Sequence, residues 1–379
     1  MILSSAQLRH PPRTDVRTPR ILRYVDWVLV ASTLGLVVGG AVILYSATRT
    51  SPDPWTFVRI RALHAIAGAF LLVFFAVIDY GVLARAWRPL LAGTVLLLAA
   101  VDVLGRTAQG AQRWIPLGPF SFQPSEIAKL LLIITLAKHI DGHREITSWR
   151  QILPLLAHAG IPILLIVQQP DLGTSMVLMA IFVAMLFAGG APMRVIAGLG
   201  AAAAAAAPVV WQMLHEYQRK RLIVFLDPGV DPQGAGYALI QSKIAVGSGQ
   251  LFGKGLLHGT QNLLHFIPEQ HTDFIFTVVG EELGFAGAIL MLVLFGLWLW
   301  RAGAVAVQAK DRLGMLMAVG VLTMIGFHVF VNVGMTVGLM PVTGIPLPFI
   351  SHGGSALVIM LAATGLLINI GMRRKKILF

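Results

Sequence analysis

The chain has 379 residues, of which 56% are hydrophobic and only 12% charged. A water-soluble domain carries roughly 25% charged and about 45–50% apolar residues, so this composition excludes an ordinary solvated surface and makes lipid the solvent. Cysteine is absent, which excludes disulfides, thiolate metal sites and cysteine nucleophiles. The net charge of +12 sits mostly in short segments between apolar runs, a pattern of membrane topology and not of a nucleic-acid face.

Residues 1–23 hold arginines from Arg9 to Arg23 and no apolar run, and read as a cytoplasmic tail. The run beginning at Tyr24 is too long for a cleavable signal. About ten apolar runs follow, at 24–46, 60–79, 87–105, 124–140, 152–168, 172–190, 193–213, 273–300, 312–338 and 350–372. They lack the alternating polarity of barrel strands, and backbone groups in lipid must be satisfied within the segment, so each is expected to be a helix. The fold class is an all-α polytopic membrane protein, with a single membrane domain over 24–372 and a basic tail at 373–379. Lys and Arg concentrate at both ends and at every second connection (Arg85 and Arg88; Lys138, Arg144 and Arg150; Arg301, Lys310 and Arg312), which places both termini in the cytoplasm.

Two outer connections are long, 106–123 and 214–272. Connections above about 12–15 residues are functional or disordered. The second has amphipathic stretches at 237–246 and 251–257 and an apolar patch at Leu263, Leu264, Phe266 and Ile267, so it is expected to fold against the membrane surface. The alanine run 201–207 offers a smooth packing surface and no chemistry.

Ionisable groups in or beside a span are costly and become functional hypotheses. Asp273 ends the segment Pro268 to Asp273 at the outer mouth of span eight, where it could cap the helix, act as a general base, or do both. Glu281 and Glu282 lie deeper in the same span and need basic partners or water. Glu126 and Lys129, in the segment that begins at Arg113, share one helical face, so they either pair or one or both line a polar central cavity. Asp171, in the short turn Gln168 to Ser175, either caps span six or faces that cavity. Arg221, Lys243 and Lys254 place cations in the long loop, suited to a diphosphate or to anionic headgroups. The segment Pro341 to Ser355 is irregular at a membrane edge, which is tolerated where it lines a cavity. Neither Ser351 nor Ser355 has an identifiable base, and His352 reads as a polar cavity or packing residue. No metal spacing and no nucleotide-binding glycine motif is present, although Asp273 with Glu269 could offer oxygen ligands to Mg or Mn.

Taken together and in order, these segments resemble the SEDS family (shape, elongation, division and sporulation proteins). The matching pieces are Arg113-Trp114 through Glu126, Gln169 to Thr174, Arg221 with Phe225 to Pro228, Gly253 to Gly255 with Gly259 to Gln261, Pro268 to Phe276, Asn332 to Met335, Pro341 to Pro348 and Gly353 to Ser355. The first span ending Leu44 to Thr48 and the short tail after Met372 favour the elongation branch over the division branch. His352 stands where the family usually has tyrosine. The resemblance implies a peptidoglycan glycosyltransferase acting on lipid II at the outer leaflet, with inversion and with Asp273 as base. Arg113, Glu126, Lys129, Asp171, Arg221, Lys243, Lys254, His271, Glu281 and Ser351 are the candidate substrate-binding residues. It also implies a class B penicillin-binding protein and other elongation-complex membrane proteins as partners, and no nucleotide or organic cofactor. A lipid II flippase and a non-catalytic scaffold are the competing functions: a flippase needs charges spread through the bilayer, whereas a polymerase needs its acid at the outer surface.

Overall fold

The computed structural model describes residues 24–108, 111–117, 120–143, 146, 148–264 and 266–374. Of the two expected tails, only Arg373 and Arg374 fall within it.

A helix stands at every expected run. α1 (Trp27–Ala47) starts behind Asp26, whose carboxylate accepts from the Leu29 N–H and takes the Arg301 guanidinium at 2.6 and 2.8 Å. α2 (Pro54–Val77) begins earlier than its apolar run, because Asp53 caps it and Pro54 occupies the first turn, where a missing N–H costs nothing. A short α3 (Tyr80–Arg85) leads to α4 (Trp87–Leu104), α5 (Pro124–Asp141), α6 (Trp149–Gln168), α7 (Leu172–Ala188) and α8 (Met193–Met213). The long loop holds α9 (Glu216–Leu226), α10 (Ala235–Ser248) and the single turn α11 (Thr260–Leu263). α12 (Ile275–Glu282), α13 (Gly284–Val307), α14 (Arg312–Val337) and α15 (Gly354–Met372) complete the chain. Among the described residues, seven helices (α1, α2, α6, α8, α13, α14 and α15) are long and apolar enough to cross a membrane. The chain is a multi-pass membrane protein.

Two features depart from the expectation. The connection 106–123 carries a small antiparallel sheet, β1 (Arg106–Ala108), β2 (Ala111–Leu117) and β3 (Phe120–Phe122), in the order β1-β2-β3. The expected eighth span, 273–300, is broken at Leu283, between α12 and α13. The cause is the long loop, which inserts its backbone there. Gln250 and Leu251 carbonyls accept from the Phe285 and Ala286 N–H groups at 2.8 and 2.9 Å, satisfying the start of α13. Only glycine permits so close an approach: a Cβ at Gly253, where φ is +77°, would lie 2.1 Å from the Glu282 carbonyl oxygen.

α5, α7 and α14 pack together at the centre, α15 lies along α2, and α1 lies along α13. α15 is 83% buried, whereas α8 is 6% buried and touches the bundle only lightly, at α7. In the long loop, α10 packs on α12 and α14, and Ile267 joins Phe274 and Ala245 in a small apolar cluster. The loop is therefore folded, as its amphipathic stretches indicated. The stretch 251–257, however, forms turns and no helix.

Candidate active site

Asp273 sits in a tight turn immediately before α12. Glu269 adopts the left-handed region, with φ of 52°, and its carbonyl accepts from the Thr272 and Asp273 N–H groups, both at 3.1 Å. Three further contacts hold the turn by its backbone. Asn332, from α14, donates from Nδ2 to the carbonyls of Asp273 and Ile345, both at 2.8 Å. Ser351 Oγ donates to the Thr272 carbonyl at 2.6 Å and accepts from the Leu347 N–H at 2.8 Å. The His352 N–H donates to the His271 carbonyl at 2.9 Å. The segment behind them is anchored by Arg61 of α2. Its buried guanidinium donates to the carbonyls of Ile350 and Ser351 at 3.0 and 2.9 Å and to that of Phe349, itself left-handed at φ 61°.

While its backbone is clamped, the Asp273 carboxylate is left free. The N-cap position of α12 is Phe274, without a side-chain cap, so helix capping does not explain Asp273. Among the described residues its carboxylate makes no hydrogen bond. It faces Arg221 across Gly344, in the left-handed region at φ +73°: a Cβ there would lie 3.3 Å from Asp273 Oδ2 and 3.5 Å from Arg221 Nη1. Burial pushes the Asp273 carboxyl up to about 6. The charge of Arg221 pulls the other way, and Glu269 and Asp171 add to the upward shift. Burial likewise pushes His352 down to about 4 and lowers His271, so both imidazoles are neutral at pH 7. Their rings sit 5.8 Å apart, and each lies edge-on to Phe57.

Beside this turn a groove runs between α7, α9 and the segment 341–343. Its polar wall is Arg113, Tyr217, Gln218 and Arg221, and its apolar wall includes Leu172, Met176, Leu222 and Val342. Arg113 of β2 donates to the carbonyls of Gln169 and Pro170 and pairs with Asp171 at 3.9 Å. Arg221 of α9 makes one long contact, 3.5 Å to the Val342 carbonyl, and lies over the Tyr217 ring, so most of its donors face the groove. An anionic headgroup with an apolar tail fits such a surface.

Of the other sequence-named residues, Asp171 stands beside the groove, behind Arg113, and the rest lie elsewhere. Asp171 caps α7, accepting from the Thr174 N–H at 3.1 Å and from its hydroxyl at 2.9 Å. Glu126 and Lys129 pair at 2.7 Å inside α5, and Lys129 also meets His328 of α14 at 3.0 Å. Glu281 pairs with Lys254 at 2.7 Å on the far end of α12. Lys243 is exposed and packs over Gly338. Glu126, Lys129, Asp171 and Glu281 thus occupy separate pairs and do not form the one polar cavity that a flippase would use. Sequence reading gave no role to Arg61, His328 and Tyr217. For the first two the signal was present, since each is an ionisable group within an apolar helix; Tyr217 is placed only by the fold.

The model of the FtsW/RodA/SpoVE family, described as "Cell cycle protein", matches residues 22–376. The chain belongs to that family. It is 41% identical over 362 residues to the peptidoglycan glycosyltransferase MrdB of Escherichia coli K12, spanning 93% of this chain and 95% of that protein. It is 39% identical over 355 residues to stage V sporulation protein E of Bacillus subtilis, spanning 91% and 96%. The rod shape determining protein RodA of Thermus thermophilus superposes with a TM-score of 0.70 at 33% identity, covering 93% of this chain and 98% of that one. A chain from a peptidoglycan synthase complex, solved in work on the coordination of polymerization and crosslinking, superposes with a TM-score of 0.80 at 35% identity, covering 92% and 98%. The broken α12–α13 pair, the clamped turn and the groove therefore belong to a RodA-like fold.

Proposed function

We propose that this FtsW/RodA/SpoVE-family chain is a peptidoglycan glycosyltransferase that polymerises lipid II on the outer face of the bacterial cytoplasmic membrane during elongation, with Asp273 as general base. The observation that carries this reading is the Asp273 carboxylate, desolvated, unbonded and facing Arg221 across Gly344. The topology that goes with it is a single domain over 24–372 of about ten spans, both termini cytoplasmic and the loop 214–272 outside.

In the reaction the 4-hydroxyl of the acceptor lipid II attacks the anomeric carbon of the lipid-linked strand. As the new C–O bond forms, the bond to the diphosphate breaks on the opposite face, so the configuration inverts. Asp273 takes the hydroxyl proton; a carboxyl titrating near 6 is a stronger base than an ordinary aspartate and is still ionised at pH 7. Arg221, with Arg113 behind it, stabilises the charge that develops on the departing diphosphate. Leu172, Met176 and Leu222 carry the start of the polyprenyl tail. Asp273 and Glu269 lie close enough to act on one another's charge, and their carboxylate oxygens would be the ligands offered to Mg or Mn, which would supply further positive charge for the diphosphate. A class B penicillin-binding protein, with other elongation-complex membrane proteins, is the expected partner that crosslinks the product.

The test is a gel of fluorescent lipid II incubated with purified protein, alone and with its cognate penicillin-binding protein. Glycan ladders are expected from the wild type and none from Asp273→Asn. Wild-type ladders from the variant would remove Asp273 as base, and no ladder under any condition would remove the polymerase reading.

A further inference from the structure

The Pro170 carbonyl, in the turn between α6 and α7, draws three side-chain donors: Arg113 Nη2, the Tyr217 hydroxyl at 2.8 Å and Gln218 Nε2 at 3.4 Å. A carbonyl oxygen has two lone pairs, so the long Gln218 contact is the weakest of the three. Arg113 Nη2 also reaches the Tyr217 hydroxyl oxygen at 3.4 Å. Arg113 comes from β2 and Tyr217 from α9 in the long loop, yet both are fixed to one atom of the bundle.

The face of the same ring meets Arg221. The two residues are four apart on α9 and so neighbours on its surface, and the Arg221 Cζ lies 5.7 Å from the ring centre, within cation–π reach. The Arg221 contact with the Val342 carbonyl is long, 3.5 Å, so the ring is what fixes the direction of this guanidinium. Tyr217 is 37% exposed, and core packing does not account for a side chain whose hydroxyl and ring face are both engaged. Its two engagements have one thing in common: each ends on an arginine of the groove wall.

We propose that Tyr217 is a positioning residue, which holds Arg113 and Arg221 on one wall of the groove so that each takes one phosphate of a polyprenyl diphosphate. The inference rests on the reading of the groove as the diphosphate site and deepens it. A guanidinium fork matches the oxygens of one phosphate, so a diphosphate draws on both arginines and a monophosphate on one. Arg113 keeps its hold on the Gln169 carbonyl and on Asp171 whatever stands at 217. Arg221 has no such second anchor, and without the ring it regains its rotamer freedom and must be ordered again each time a ligand binds. Loss of Tyr217 therefore removes the grip on the second phosphate and leaves the first.

Purified full-length protein in detergent is titrated with undecaprenyl diphosphate and, separately, with undecaprenyl monophosphate, and the two affinities are read by thermophoresis, with no polymerisation required. The wild type is expected to prefer the diphosphate. Tyr217→Leu is expected to weaken diphosphate binding about tenfold and monophosphate binding by less than about twofold, with the wild-type melting curve retained. Tyr217→Phe, which keeps the ring and loses the hydroxyl, is expected to lose about threefold on the diphosphate alone. In an Arg221→Ala chain, adding Tyr217→Leu is expected to cost no more than that same factor of about three, because the share of the ring acts through Arg221. A wild type without preference, a wild-type diphosphate affinity in Tyr217→Leu, an equal loss for both ligands, or the full loss persisting in the Arg221→Ala chain overturns the proposal. Arg221→Ala binding the diphosphate as the wild type does is a separate result, which removes the groove reading and this inference with it. If Tyr217→Leu does not fold, Tyr217→Phe decides: a loss confined to the diphosphate supports the proposal, and wild-type affinity overturns it.

Discussion

The Asp273 carboxylate is costly where it stands, and that cost has a measurable sign. Its folded-state pKa is raised to about 6, above the ordinary 3.8, so the folded chain holds a proton that the unfolded chain has released between those values. Stability contributed by this group is therefore lost as pH rises from about 4 to 6. Asp273→Asn, which keeps the shape and has no charge to desolvate, should remove that slope. By thermal melts across this range, the variant should equal the wild type near pH 4 and exceed it at pH 7. Activity has the opposite dependence, because the base must be ionised: kcat/KM for lipid II should fall on the acid side with an apparent pKa near 6, read from initial rates of polymerisation. Asp273 was legible as a candidate from its place at a membrane edge. That it caps nothing was not, because α12 begins at Ile275, two residues later, which puts the cap position at Phe274.

At the scale of elements, the site depends on backbone clamps. Asn332 is the central one, since its amide holds two carbonyls from separate segments. Asn332→Ala leaves both without their donor and should cost about 1–3 kcal/mol of stability. It should also lower kcat for lipid II polymerisation more than it raises KM, as the turn bearing Asp273 loosens. The break between α12 and α13 depends on glycines instead. Gly253→Ala places a methyl group 2.1 Å from a carbonyl oxygen at a positive φ, and should abolish recovery of folded protein from the membrane, measured by size-exclusion yield. The run 273–300 did carry a signal at this break, Gly280-Glu281-Glu282 with Gly284, but the backbone that fills it comes from a loop distant in sequence. The start of α2 was misplaced for a related reason. The expected run began only at residue 60, past the polar and charged residues that open α2, whereas Arg61 within it is buried and spends its donors on the carbonyls of 349–351.

Across the whole molecule, one buried ion pair lies within the bundle and the site is placed at one end of it. Glu126 and Lys129, with His328 against them, lie where α5 and α14 cross in the core. Lys129→Met removes one partner and should destabilise the protein by about 3–5 kcal/mol, whereas the double change Lys129→Met with Glu126→Gln should recover part of that loss. Chemical denaturation in detergent would separate the two. Their pairing was legible from three-residue spacing, since it needs only one helix. His328 was not, since it arrives from α14, 199 residues away in sequence. The spans and the acid at a membrane edge were legible for the same reason in reverse: lipid imposes its requirements locally, on each run of residues.

One helix stands apart from all this. α8 is 6% buried and touches the bundle only at α7 and, through Gly198, at the Trp149 ring of α6, so nearly every one of its side chains faces away from the rest of the chain. A bilayer does not distinguish alanine from leucine or valine by shape, as a packed core does. The alanines at 201–207 are thus held to a single criterion, apolarity, and any of several residues meets it. Here the chain is free to drift, and a library of apolar exchanges along α8 should read as neutral where the same exchanges in α15 would be purged.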